Sequence, residues 1–210
     1  KNNHFIKGVV GWIDLLNPSI DKDIETYKEQ KIVKGFRHIL QGAEKGFMLQ
    51  PNFIKGLKQL SKQHYTYDLL IYANQIQEAI ELIKSVEDLP IVLDHIAKPS
   101  IKTKSMQDWE KDIRALAKYP NLYCKISGMA TEADWTRWKA EDLKPYLDIV
   151  VEAFGVDRLL FGSDWPVCLV ASSYERWLNT IKDYFKEFSS TEQEKIFALN
   201  CESFYTLEKA

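Results

Sequence analysis

Short apolar runs rich in β-branched residues alternate along this chain with longer stretches in which apolar residues return every three or four positions. The first pattern reads as buried strand and the second as amphipathic helix. Strands are predicted at GVVGWIDL (8–15), GFRHIL (35–40), YDLLIY (67–72), PIVLDHIA (90–97), LYCKISGM (122–129) and RLLFGSD (158–164). Between them, helical spacing runs through Phe53, Leu57 and Leu60, then Ile76, Ile80 and Ile83, then Trp109, Ile113 and Leu116, then Leu147, Val151 and Phe154. Each set gives one buried face. Two more helical patterns follow the last strand, one through Trp177, Ile181, Tyr184 and Phe188, the other through Ile196, Leu199 and Phe204. The second has Ser190 and Gln193 at capping-box spacing. No linker or low-complexity tract interrupts the alternation, which predicts a single domain over residues 1–210.

Strands that are apolar along their length and separated by helices belong to a parallel sheet covered by helices. An open doubly wound sheet usually carries a glycine-rich first turn, and no GxGxxG occurs here. A (β/α)8 barrel instead gathers polar residues at the C-terminal ends of its strands, where its active site lies. That is the pattern found. Asp14, Arg37 and His38, Tyr72, Asp94 and His95, Ser127, and Asp164 all fall late in their runs. The expected fold class is therefore α/β, a TIM barrel. Six strands are two short of eight, and such a barrel takes about 250 residues. The expectation is the C-terminal three-quarters of a barrel, with its first two strands upstream of Lys1.

Composition narrows the partners. The 210 residues are 45% hydrophobic, enough for one sizeable core. A net charge of −2 argues against polyelectrolyte binding, so neither nucleic acid nor a membrane surface is an expected partner. Cys124, Cys168 and Cys201 are odd in number and form no CxxC pair, which fits a reducing, cytoplasmic setting better than a disulfide framework. No apolar stretch approaches the ~18–20 residues of a membrane span, and the opening KNNHFIKG lacks a signal-peptide core.

The candidate chemistry sits at the strand ends. Adjacent strand residues face opposite ways, so only one of Asp94 and His95 is expected to enter the barrel mouth; His95 is the choice, because imidazole can ligate metal, donate to an oxyanion or move protons near neutral pH. The same alternation separates Arg37, whose planar fork of donors suits a carbonyl or carboxylate oxygen, from His38. In FGSDWP (161–166), Gly162 lets the chain bend, Pro166 ends pairing and Asp164 is presented at the mouth. A mere helix cap at Asp164 would need a helix within a turn, yet the next helical pattern waits until Ser172 or Ser173. Asp164 is the expected general base. Trp12, Tyr72, Trp135 and Trp165 are candidate pocket walls, SGM (127–129) a turn beside the substrate, and Lys98 either a site cation or a loop charge. TEADWTRWKAED, containing Trp135 and Trp138, is placed as a lid.

Taken together, VVGWIDL, GFRHILQ, LLIY, VLDHIAKP, CKISGM, RLLFGSDWPV and the closing NCESFY resemble the amidohydrolase-2 branch of the amidohydrolase superfamily, in particular its sugar-lactone hydrolases of the L-fuconolactonase and L-rhamnonolactonase kind. The resemblance runs from about residue 8 to 206. It implies a distorted (β/α)8 barrel and hydrolysis of a sugar-acid lactone. It also implies His95 as a site residue, Asp164 as the general base and Arg37 as a substrate-binding residue; by their positions at the strand ends, His38, Trp12, Tyr72 and Trp165 are further substrate-binding candidates, and His95 is assigned to catalysis with Asp164. The family's His-x-His pair on its first strand does not occur in this sequence. Catalytic zinc takes three protein ligands, so His95 and Asp164 alone imply no tightly held metal, while a divalent ion such as zinc is allowed for a complete enzyme. The rival readings are a metal-dependent amidohydrolase or decarboxylase of the same superfamily, and an inactive barrel that binds a sugar acid. The expected partner is a small sugar lactone, and a homo-oligomer is compatible with exposed sheet edges.

Overall fold

The computed structural model describes residues 5–207. Among these, the chain alternates β1 (Val9–Gly11), α1 (Ile20–Glu25), β2 (Val33–Ile39), α2 (Pro51–Lys62), β3 (Thr66–Leu70), α3 (Ile76–Lys84), β4 (Ile91–Leu93), α4 (Gln107–Leu116), β5 (Leu122–Ile126), α5 (Ala140–Phe154), β6 (Leu159–Phe161) and α6 (Tyr174–Phe185). It closes with α7 (Ser190–Glu194), a π-helical turn over Lys195–Leu199, and α8 (Asn200–Phe204). The six strands pair in sequence order, every pair parallel, and curl into a half-barrel.

Strand alternation divides the buried residues between two faces. Phe36, Tyr67, Leu69, Ile91, Leu93, Leu122, Cys124 and Leu159 face the helices and join the main core with Phe53, Leu57, Ile80, Ile113, Leu147 and Trp177. The intervening residues face the concave side, where Val92 and Leu160 meet Phe204 and Tyr205 from the chain's end. The C-terminal segment thus closes part of the concave face. Beyond Tyr205, the Thr206 carbonyl accepts a 3.2 Å hydrogen bond from Lys34 Nζ, tying the segment to β2.

Every predicted strand is present, and all but β2, which starts two residues earlier at Val33, are shorter than their apolar runs. Ile13 and Leu15 are buried beyond the end of β1, so the pattern over 8–15 registered burial rather than pairing. The run 90–97 departs most: pairing stops at Leu93, and residues 95–98 then turn with φ of +54°, +48°, +58° and +48°. The capping box also lies one residue earlier than the spacing predicts. Ser189, not Ser190, caps α7: its hydroxyl accepts from Glu192 N–H at 3.3 Å, and the Glu192 carboxylate accepts from Ser189 N–H at 2.9 Å. A carboxylate is a stronger acceptor than the Gln193 amide, which instead donates to the Phe188 carbonyl.

Candidate active site

The left-handed turn at residues 95–98 overturns the expectation that only one of Asp94 and His95 can face inward. Strand alternation no longer applies past Leu93, and both side chains are buried on the concave side. Asp94 Oδ1 lies 2.8 Å from Lys125 Nζ, and Asp94 Oδ2 accepts from Arg37 Nη1 at 3.2 Å. His95 turns toward the ends of β5 and β6: Nδ1 is 2.7 Å from Ser127 Oγ, and Nε2 is 3.5 Å from Asp164 Oδ1.

Left-handed backbone costs a non-glycine residue roughly 1–2 kcal/mol, so four in succession require compensation. The surrounding contacts supply it. Lys98 N–H donates to the His95 carbonyl at 2.8 Å, and Trp109 of α4 donates its indole N–H to the Ile96 carbonyl at 2.9 Å. Ile96 and Ala97 are fully buried, and Lys98 pairs with Glu132 at 2.9 Å. Lys98 is thus a clamp on this turn. Asp164 also has a left-handed φ, +54°, and its backbone carbonyl accepts from Cys168 N–H. Its side chain caps no helix; Ser173 caps α6 instead, accepting from Arg176 N–H. Asp164 Oδ2 is buried and finds no partner among the described residues.

Beneath this pair lies an ionic cluster. Lys125 of β5 bridges Asp94 and Asp68 of β3, and the Tyr205 hydroxyl lies 2.9 Å from both Asp68 oxygens. Two carboxylates face two cations, so the cluster is formally neutral. Burial raises Asp68, while for Asp94 the effect of burial is outweighed by Lys125, His95 and Arg37, which hold it below its ordinary value. Burial likewise lowers His95, against the opposing pull of Asp94 and Asp164, and favours neutral imidazole at pH 7. Asp68, Lys125 and Tyr205 lie outside the set of polar strand ends that the sequence pattern picks out. Their signal was present for the first two: a charge in the middle of an apolar strand run needs an internal partner.

The remaining candidates divide. Arg37 stands on the concave face with its side chain 43% exposed, so Asp94 holds it while part of the guanidinium faces open space. His38, the next residue, is on the helix side. Its ring packs against Phe53 and Phe47, with Trp12 at 6.1 Å. The structure therefore does not bring His38 to Asp164, and strand alternation is the reason. Trp12, Tyr72 and Trp165 stand exposed beyond the C-terminal ends of β1, β3 and β6. Trp138 is buried, donates to the Ala171 carbonyl at 2.7 Å and stacks under Arg176, so it anchors the 130–139 segment. Trp135 is exposed on the same segment.

No group of three or more His, Cys, Asp and Glu side chains converges as a metal site among the described residues. His95 and Asp164 offer two donors, one short of a catalytic zinc set. The described residues therefore do not by themselves fit such an ion. No helix among them is long and apolar enough to cross a membrane.

Comparison with known proteins places this geometry. The family profile described as Amidohydrolase matches residues 1–207. An L-fucono-1,5-lactonase of Burkholderia multivorans is 37% identical over 190 residues, 82% of this chain and 64% of that protein. An L-rhamnono-gamma-lactonase of Scheffersomyces stipitis is 25% identical, covering 85% and 60% respectively. The chain thus spans about two thirds or less of these two relatives. A crystal structure of a Burkholderia multivorans amidohydrolase with bound zinc superposes with a TM-score of 0.94 at 32% identity, covering 98% of this chain and 75% of that one. A family match over nearly the whole length, on a parallel half-barrel with its charged side chains at the strand ends, makes this chain a member of the amidohydrolase family.

Proposed function

We propose that the chain carries the catalytic centre of a hydrolase that opens a sugar-acid lactone, with Asp164 as general base. The observation that carries this reading is the meeting of Asp164, at the end of β6, with His95, at the end of β4, 3.5 Å apart on the face where parallel barrels place their chemistry. The names of the relatives supply the substrate class.

In this reading Asp164 takes a proton from water, and the water's oxygen attacks the lactone carbonyl carbon. Charge then develops on the carbonyl oxygen, where the Arg37 guanidinium and the His95 imidazole N–H donate. Collapse of the tetrahedral species breaks the bond to the ring oxygen, and Asp164 returns the proton to that oxygen as it leaves. A neutral His95 suits this role, since it donates without first binding a proton. Arg37 suits it because Asp94 fixes one side of the guanidinium and leaves the rest open. Loss of one such donor costs roughly 2.7–4 kcal/mol of transition-state stabilisation in comparable sites.

The test is acid release from a panel of sugar-acid lactones, followed with a pH indicator before and after dialysis against chelator. Release that survives chelation supports the reading. Binding without release by any member of the panel contradicts it. A second reading, a metal-dependent amidohydrolase, is favoured by the zinc in the Burkholderia multivorans structure. It predicts activity lost on chelation and restored by zinc.

A further inference from the structure

Ser127 is fully buried at the end of β5, and among the described residues its hydroxyl has one hydrogen-bonding neighbour, His95 Nδ1 at 2.7 Å. Its immediate surroundings leave that geometry little freedom. Gly128 has a φ of +61°, and a Cβ there would fall 2.8 Å from His95 Cγ and 2.9 Å from Nδ1. Gly162 of the neighbouring strand end packs against the serine less tightly, since a Cβ there would fall 3.1 Å from Ser127 Cβ. Two residues that lack a Cβ therefore let the backbone close in on the imidazole and on the serine side chain.

A hydroxyl can donate to an imidazole nitrogen or accept from it, so the bond alone leaves the tautomer open. The partners at the two ends decide it. Among the described residues Nδ1 is the one hydrogen-bond partner of the Ser127 hydroxyl, and a buried hydroxyl that donates to nothing forfeits a hydrogen bond. At the other end Nε2 faces the Asp164 carboxylate, which accepts and does not donate when ionised. A proton on Nδ1 would waste the serine's donor and set a nitrogen lone pair against a carboxylate. A proton on Nε2 leaves Nδ1 free to accept from the serine and turns an N–H rather than a lone pair toward the carboxylate.

We propose that Ser127 is a positioning residue that donates to His95 Nδ1 and thereby keeps the imidazole proton on Nε2, aimed at Asp164 and the reacting oxygen. This rests on the lactonase reading for its catalytic consequence, though not for the proton's location. Ser127 touches no substrate in this account; it acts through His95.

The experiment is nitrogen-15 NMR of histidine-labelled protein, with the His95 signals assigned by their loss in His95→Gln. Wild type is expected to show a single neutral tautomer protonated on Nε2. In Ser127→Ala the preference should weaken to a mixture, and in Ser127→Thr, which keeps the hydroxyl, it should return. Thermal melting of each variant identifies any that has not folded. In parallel, lactone turnover by Ser127→Ala should fall on the order of 10- to 100-fold, as on loss of an orienting hydrogen bond, with KM within about twofold of wild type. A proton on Nδ1 in wild type, or a tautomer unchanged in folded Ser127→Ala, overturns the proposal. Because the NMR signal needs no turnover, a protein inert toward every lactone but with serine-dependent proton placement would support this inference and refute the lactonase reading.

Discussion

At the scale of single residues, the concave face is built on charges that cannot be separated cheaply. Lys125 is shared between Asp68 and Asp94, and removing one partner of a buried ion pair leaves an uncompensated charge, at a cost of about 3–5 kcal/mol. Lys125→Met should therefore lower unfolding stability by that order in urea titration, more than Lys98→Met at the turn. Tyr205→Phe removes a hydrogen bond to a carboxylate and should cost about 1.5–3 kcal/mol in the same measurement. A stability loss below 0.5 kcal/mol in both variants would show that the cluster contributes nothing to the fold. The sequence held part of this. Lys125 within LYCKISG and Asp68 within YDLLIY are charges inside apolar runs, a local anomaly that can be read without a structure. Tyr205 carried no such mark, because an aromatic near a helix end is ordinary core material, and its partner lies 137 residues away.

At the scale of elements, the turn after β4 sets the site. VLDHIA keeps an apolar pattern through Ile96 and Ala97, so the sequence predicts a strand that continues to residue 97. The chain instead leaves the sheet at Leu93 and winds left-handed with no glycine to ease it. Nothing local announces the turn, since what stabilises it is distant: Trp109 on α4 and Glu132 beyond β5. Trp109→Phe keeps most of the packing but orphans the buried Ile96 carbonyl. It should cost about 1–3 kcal/mol of stability and lower turnover, because the same turn carries His95. Wild-type stability and turnover in this variant would show that the turn holds itself. The strands and most helices were legible because burial on a sheet or a helix face writes its period into the sequence, as Phe53, Leu57 and Leu60 do on α2. The ends of strands were not, because Ile13 and Leu15 are as buried outside the sheet as Phe36 is within it.

At the scale of the whole molecule, the half-barrel brings together groups that are far apart in the chain. His95 and Asp164 meet because β4 and β6 flank β5 in a parallel sheet, and Ser127 directly follows the strand between them. That convergence was legible in outline, since six polar strand ends implied a common face, but which side chain of each adjacent pair faced it was not. Among the described residues β1 and β6 each pair on one side only. Unpaired strand edges are templates for association, and Val9 on β1 is exposed. The 210-residue chain should therefore self-associate as concentration rises in sedimentation velocity, and Val9→Lys should reduce it. A monomer at every concentration would contradict this.

The most direct test of the central claim is the turnover of Asp164→Asn beside wild type on a lactone that wild type opens, with binding of the same lactone followed by calorimetry. The substitution keeps the shape of the side chain and removes its ability to take a proton. The account predicts turnover lost by several orders of magnitude with binding retained within a few-fold. Turnover near the wild-type rate would contradict it.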